Sequence, residues 1–374
     1  MKILILDTYY PNFLQSFWKS NTKLIKKKYS QQISKLLSQC FGTSDFYSYN
    51  LKRIGHKTHD IVVNDETSQR QWAKEHGINL SSDYMMGKIR SLPYANKIIG
   101  KLNWIQKIVL SQVEFYQPDV IYIQDLSILT SKTLQKIKEK GVYIVGQIAC
   151  PISDNVNLDL YDLILTSFPH YVKKFRKMGI KSEYFKIGFE SRILKRIENK
   201  DRKYDVTFIG SFSPHHQEAT KIIEDVAKII PIHVWGHGLQ HLDKNSPLRE
   251  NYHGEAWGID MYKILSESKI VINRHIDVAK NYANNMRLYE STGTGAMLLT
   301  DNKKNLGTLF KVGSEIVDYK NNRSLIRKVK YFLKNEDQRA AIAQRGQEKT
   351  LHVHNYKKRM EELSNILSNH VNIK

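Results

Sequence analysis

Short, unbroken apolar runs recur along this chain, separated by stretches with a helical period. KILIL (2–6), DVIYIQD (119–125), VYIVGQIA (142–149) and YDLILTS (161–167) do not alternate apolar with polar residues. A strand that is apolar on both faces must be buried on both, which a parallel sheet covered by helices achieves. HDIVVN (59–64) reads as another strand, and EYFKIG (183–188) closes the series. Between the strands, Ile25, Tyr29, Ile33, Leu36, Leu37 and Cys40 step by three or four and predict one helix over 24–40. Further helices are predicted over 66–77, 96–116, 130–141 and 168–179, three of them ending at a glycine and 96–116 stopping before Pro118. The stretch 80–93 has no period and reads as a loop.

The pattern then begins again. YDVTFIGS (204–211), IHVWG (232–236), KIVINR (269–274), AMLLT (296–300) and EIVDY (315–319) are strands, alternating with helices that include 218–230 and 258–268, and the last helix covers 356–367. The charged segment 189–203 lacks strand character and reads as a linker. With 374 residues and roughly 150 per domain, two domains are expected. The fold class predicted is α/β, with two Rossmann-like, doubly wound domains facing a cleft. Their bounds are 1–188 for the first domain, a linker at 189–203, 204–352 for the second domain, and a helix at 353–374 that crosses back to the first domain.

Bulk properties exclude several function classes. The amino-terminal apolar run is too short for a signal peptide or a membrane span, so a cytoplasmic location is expected. Two cysteines, Cys40 and Cys150, supply neither a disulfide framework nor a zinc site, and the histidines lack metal-ligand spacing, so no metal is expected. The net charge of +21 comes largely from lysines scattered over helices, which read first as solvated faces. Peripheral attraction to an anionic membrane at its inner face is the second reading. Nucleic acid comes last, because no nucleic-acid-binding motif is present.

In open parallel sheets, ligands sit beyond the carboxyl ends of strands. After YDVTFI comes the loop Gly210, Ser211, Phe212, Ser213, Pro214, His215 and His216, leading into a helix. Its free backbone N–H groups would suit phosphate, although an ordinary strand–helix turn reads the same way. Trp235 and Gly236 end another strand, where an aromatic ring could stack on a base and a glycine lets backbone approach closely. Asn273 and Arg274 end KIVIN; Arg274 either faces the ligand or pairs with Asp277. The stretch NNMRLYESTGTGAMLLTDN places Asn284, Asn285 and Met286 before a helix bearing Arg287 and Glu290, which share a face three residues apart. A carboxylate there can accept both hydroxyls of a ribose; Arg287 can hold a phosphate or pair with Glu290. Gly293 and Gly295 let the helix turn into the strand.

This arrangement resembles the nucleotide-sugar half of the GT-B glycosyltransferases, in which a helix glutamate followed by a small-residue turn and an apolar strand binds the donor's ribose. Here that run is Glu290-Ser291-Thr292-Gly293-Thr294-Gly295 followed by AMLLT. PDVIYIQDL, YDLILTSFPHY, YDVTFIGSFSPHH, the N-x-R-L-Y-E core and the terminal HNYKKR are similar to the narrower spore-maturation-protein (CgeB-like) group. The resemblance implies a GT-B fold with 1–188 on the acceptor side and 204–352 binding the nucleotide-sugar, transfer of a sugar from that donor, and no cofactor beyond that substrate. The acceptor would be a glycan, a lipid-linked sugar or a small molecule. Many retaining GT-B enzymes carry a second glutamate eight positions earlier, where this chain has Tyr282, so stereochemistry does not carry over. No Asp-x-Asp occurs, which speaks against a metal-dependent GT-A enzyme.

An inverting transfer needs a base. The candidates at strand ends of the first half are Asp125 and His170, ranked level, with Asp7 behind them. Two rivals share the architecture: a nucleotide-sugar epimerase, and a non-catalytic binding protein of a bacterial surface or spore coat.

Overall fold

A computed structural model describes residues 1–80, 103–197, 201–212 and 217–371. The chain forms two compact units, one of Met1–Thr166, His170–Tyr184 and Met360–Lys374, the other of Ser167–Pro169 and Phe185–Arg359.

The first unit is built on six parallel strands, β1 (Lys2–Asp7), β2 (Lys57–Val62), β3 (Val120–Ile123), β4 (Tyr143–Gln147), β5 (Leu163–Thr166) and β6 (Ser182–Tyr184). Their order is β2-β1-β3-β4-β5-β6, so the winding reverses between β1 and β3. The unbroken apolar runs explain this core: every residue of β3 and β5 is buried, and burying a Val, Leu or Ile side chain contributes about 1.5–3 kcal/mol. Leu6 pairs in register with Ile123, which brings Asp7 and the residues after β3 to the same sheet edge.

Three local expectations need adjustment. The helix predicted over 24–40 is instead a 3-10 turn, Thr22–Lys26, and an α-helix, Tyr29–Leu37. It breaks at three consecutive lysines, where Lys27 is extended (φ −90°, ψ 166°). The Gln32 amide staples the break by donating to the carbonyls of Leu24, Ile25 and Lys27. Helices Pro11–Ser20 and Phe46–Arg53 were not predicted. For the helix expected at 96–116, the described part is Asn103–Tyr116; its beginning, and the loop expected after Leu80, lie outside the described residues.

The second unit carries β7 (Tyr204–Ser211), β8 (His233–His237), β9 (Ser268–Asn273), β10 (Met297–Asp301) and β11 (Val317–Tyr319), all parallel. The order β11-β10-β9-β7-β8 repeats the winding of the first sheet, with the reversal now between β7 and β9. Val206, Ile223, Val226, Val234, Ile270 and Leu299 form its core. The charged segment 189–203 packs into this unit: Phe189 bridges to Asn355, Ser191–Lys195 is a 3-10 turn, and Arg202 donates to the Ser266 and Gly295 carbonyls. Residues 198–200 of it lie outside the described residues. The helix Tyr356–His370 begins in the second unit and continues in the first, where Ser364 Oγ lies 2.8 Å from His56 Nε2. Among the described residues, no helix is long and apolar enough to cross a membrane.

Candidate functional site

In the second unit, the helix Met286–Gly293 supplies the central group. Glu290 is 5% exposed and accepts from Arg287 at 2.9 Å. Burial raises the Glu290 pKa above the ordinary glutamate range, opposed by Arg287 and by a hydrogen bond from the Tyr262 hydroxyl. Of the two roles open to Arg287, the structure displays the pairing; the same guanidinium also lies 3.2 Å from Met261 Sδ. The chain leaves this helix through Gly295, whose φ of +80° is the left-handed conformation glycine tolerates.

The end of β9 is an amide lattice. Asn285 Nδ2 donates to Asn273 Oδ1 at 2.9 Å, and Asn273 Nδ2 donates to Thr300 Oγ1 at 2.9 Å. The Tyr319 hydroxyl donates to the Asn273 carbonyl at 2.9 Å. Asn285 sits at the N-cap of the helix but makes no side-chain cap hydrogen bond, because its amide is held by Asn273. Asn284 Oδ1 accepts from the Tyr289 hydroxyl at 2.8 Å, while its buried Nδ2 has no hydrogen-bond partner among the described residues. Arg274 is half-buried just beyond β9, and Met286 opens the helix.

Three residues here escaped the sequence reading. His275 is 2% exposed, its Nδ1 lies 2.7 Å from Asp301 Oδ1, and its buried Nε2 has no hydrogen-bond partner among the described residues. Lys303 Nζ lies 3.1 Å from the other oxygen of Asp301. Burial alone would raise the Asp301 carboxyl, but hydrogen bonds and charge from His275 and Lys303 hold it below the ordinary range. His275 and Asp301 each come one residue after the predicted strands KIVINR and AMLLT, so the strand-end rule applied one residue further would have found both; Lys303 lies two residues past the end of β10.

Other predicted donor residues fare differently. Gly210 and Ser211 end β7 as expected, whereas His215 and His216, with Ser213 and Pro214, lie outside the described residues. Trp235 is 6% exposed, its ring stacked on His253 at 4.5 Å and edge-on to Tyr204 at 5.0 Å. Gly236 is required by its own neighbour strand: a Cβ there would sit 1.8 Å from the Gly210 carbonyl oxygen. Its close approach is between β7 and β8 rather than toward a ligand.

In the first unit, two of the three base candidates come together. Asp7 ends β1 and accepts from the Thr8 N–H at 2.8 Å and the Thr43 hydroxyl at 3.3 Å. Asp125 follows β3 and accepts from the Thr8 hydroxyl at 3.1 Å and the Ser127 hydroxyl at 2.6 Å. Thr8 therefore links the two carboxylates at the switch point of the sheet. Burial pushes the Asp7 carboxyl up to about 7, with Asp125 adding to the rise and hydrogen bonds from Thr8 and Thr43 opposing it. His170 stands apart, half-buried in the first turn of helix Pro169–Lys177 after β5, its ring edge-on to Tyr171 at 4.9 Å.

Residues 216–365 match the model of a family described as glycosyl transferase-like. No curated protein matches the chain by sequence. Among solved structures, the chain is similar to Anabaena Alr3699/HepE in complex with UDP-glucose (TM-score 0.57, 12% identity, 99% of this chain and 100% of that one). It is similar also to a glycosyltransferase from Rickettsia africae (0.58, 11%, 100% and 99%). A third likeness is to a sucrose-phosphate synthase from Thermosynechococcus elongatus (0.59, 8%, 99% and 98%). The two Rossmann-like parallel sheets of this chain thus have the fold of GT-B glycosyltransferase structures.

Proposed function

We propose that this chain is a metal-independent glycosyltransferase of the spore-maturation-protein (CgeB-like) type. It would pass a sugar from a nucleotide-sugar donor to a glycan, lipid-linked or small-molecule acceptor. The observation that carries this reading is Glu290, buried on a helix within the family-matched segment and held by Arg287 and Tyr262. An ionised carboxylate offers about four lone-pair sites, and these two partners leave room for a ribose diol. The uncapped first turn of the same helix, with Arg274 and Lys303 on neighbouring strand ends, suits a diphosphate and would offset the charge of the departing nucleotide.

The first unit would bind the acceptor, with Asp7 as the preferred base. Its proton affinity near neutrality is what abstraction of a hydroxyl proton at physiological pH requires. Asp125 would orient it through Thr8, and His170 is the alternative base. The net charge of +21 supports attraction to an anionic membrane surface, where lipid-linked acceptors reside.

A thermal-shift panel of UDP, GDP, CDP and their sugars tests the donor assignment. One nucleotide should raise the melting temperature, since saturation at 100 times Kd adds about 2.7 kcal/mol of stability. Glu290→Ala should weaken that nucleotide roughly 10- to 100-fold, the worth of charge-assisted hydrogen bonds. No shift with any nucleotide, or an undiminished shift in the variant, removes the reading. Interconversion of the sugar without any acceptor would instead identify an epimerase.

A further inference from the structure

The first unit holds a concavity away from the carboxyl ends of its strands. It is a cavity of about 520 Å³ lined by Thr58, His59 and Asp60 of β2 and by the helices Tyr29–Leu37 and Phe46–Arg53. Asp60 pairs in register with Ile5, so the cavity flanks the middle of the edge strand, two residues short of Asp7. Its size falls in the range of small-molecule sites.

The lining is chemically mixed. Ser30, Ser34 and Ser38, four residues apart, share one helix face. The His59 ring lies 4.2 Å from that of Tyr116, tilted by 31°, and gives an aromatic surface. Asp45 and Asp60 supply two carboxylates in a chain of strongly positive net charge, with Lys52 beside them. The Ser48 hydroxyl donates to Asp60 Oδ2, and the buried Asp60 Oδ1 has no hydrogen-bond partner among the described residues.

The geometry points to a saccharide-binding site in this cavity, separate from the transfer site and taking a neutral sugar residue of a glycan. Hydroxyl groups both donate and accept, so a sugar can pair with carboxylate, serine and ammonium groups at once, while its C–H face packs on the rings. An ammonium ligand has only donors and would meet Lys52; a phosphate would meet two carboxylates. Burial pushes the Asp60 carboxyl up to about 7, and a hydroxyl can pair with either protonation state. This inference does not depend on the donor assignment of the second unit.

The test is saturation-transfer NMR and calorimetry on the full chain with glucose, galactose, N-acetylglucosamine and cellobiose. At least one should bind the wild-type chain and Glu290→Ala with equal affinity, and bind Asp60→Ala and Ser34→Trp at least tenfold more weakly. Ser34 is exposed on its helix, so its variant decides alone if Asp60→Ala does not fold. Absence of binding by all four sugars overturns the proposal, as do unchanged affinity in the folded cavity variants and loss of binding in Glu290→Ala. Binding of putrescine in their place would overturn the ligand class.

Discussion

The two sheets wind in the same order, yet their strand ends carry opposite electrostatics. At the edge of the first, the partners of Asp7 and Asp125 among the described residues are hydroxyl and backbone donors, and the Asp7 carboxyl retains its proton up to about 7. At the edge of the second, the carboxylates have cationic or imidazole partners, Glu290 with Arg287 and Asp301 with His275 and Lys303. An uncompensated acid is suited to exchanging a proton, and a surplus of cations and amides to holding an anion. The shared winding fixes where a ligand can sit; the residues placed there decide which half of a transfer reaction each sheet could serve.

That division is open to direct attack. Asp7→Asn should lower kcat roughly 10²- to 10⁴-fold, the usual contribution of a positioned base, while leaving nucleotide affinity within about twofold. A comparable loss in both quantities, from steady-state kinetics and calorimetry, would erase the distinction between the edges; unchanged kcat would move the base to His170 or to no residue at all.

Stability should also respond to pH in opposite senses. Asp7 and Asp60 have folded values raised to about 7 from an ordinary 3.8, so folding of the first unit is favoured most at low pH. That stability is lost as pH rises through about 7. For each group the loss is on the order of 2–4 kcal/mol, the lower figure allowing for partial contact with solvent. In the second unit, burial depresses His354 to about 4, so its contribution is complete above about 6.5 and fades as pH falls toward 4. Hydrogen exchange corrected for intrinsic rates should show protection of the first unit falling between pH 4 and 7, and that of the second falling in acid. Asp60→Asn should flatten the former trend, and parallel trends in the two units would contradict the electrostatic contrast. The smallest effect is expected from Trp235→Phe, which should change nucleotide affinity less than about twofold because the ring is already stacked within the protein; a tenfold loss by calorimetry would return it to the site.

Much of this was legible in the sequence because parallel strands buried on both faces leave unbroken apolar runs. KILIL, VIYI and LILT needed no tertiary information. The helix Phe46–Arg53 was not legible, since it buries Ser48 and Asn50 beside Phe46, Tyr47 and Leu51 and so lacks an apolar stripe. Pro11–Ser20 was more accessible: Phe13, Leu14 and Phe17 are its buried face, with proline opening the helix. Within the site, the strand-end rule located Asp7, Asp125, Asn273 and Arg274. It could not show that Trp235 turns toward Tyr204 and His253, because a ring's partners are set by neighbouring strands and loops. The pairing of His275 with Asp301 spans 26 positions and exists only once β9 and β10 are neighbours. The raised proton affinity of Asp7 likewise follows from burial, which no local spacing encodes.

The closing helix has a bearing on how such proteins can be dissected or recombined. Leu363 and Leu367, both 0% exposed, belong to the first unit although they arrive after the whole of the second. A fragment that stops at Tyr184 would therefore lack part of its own interior and expose apolar surface. Grafting the second unit from one homologue into another needs two splice junctions, near Tyr184 and near Arg359, rather than one.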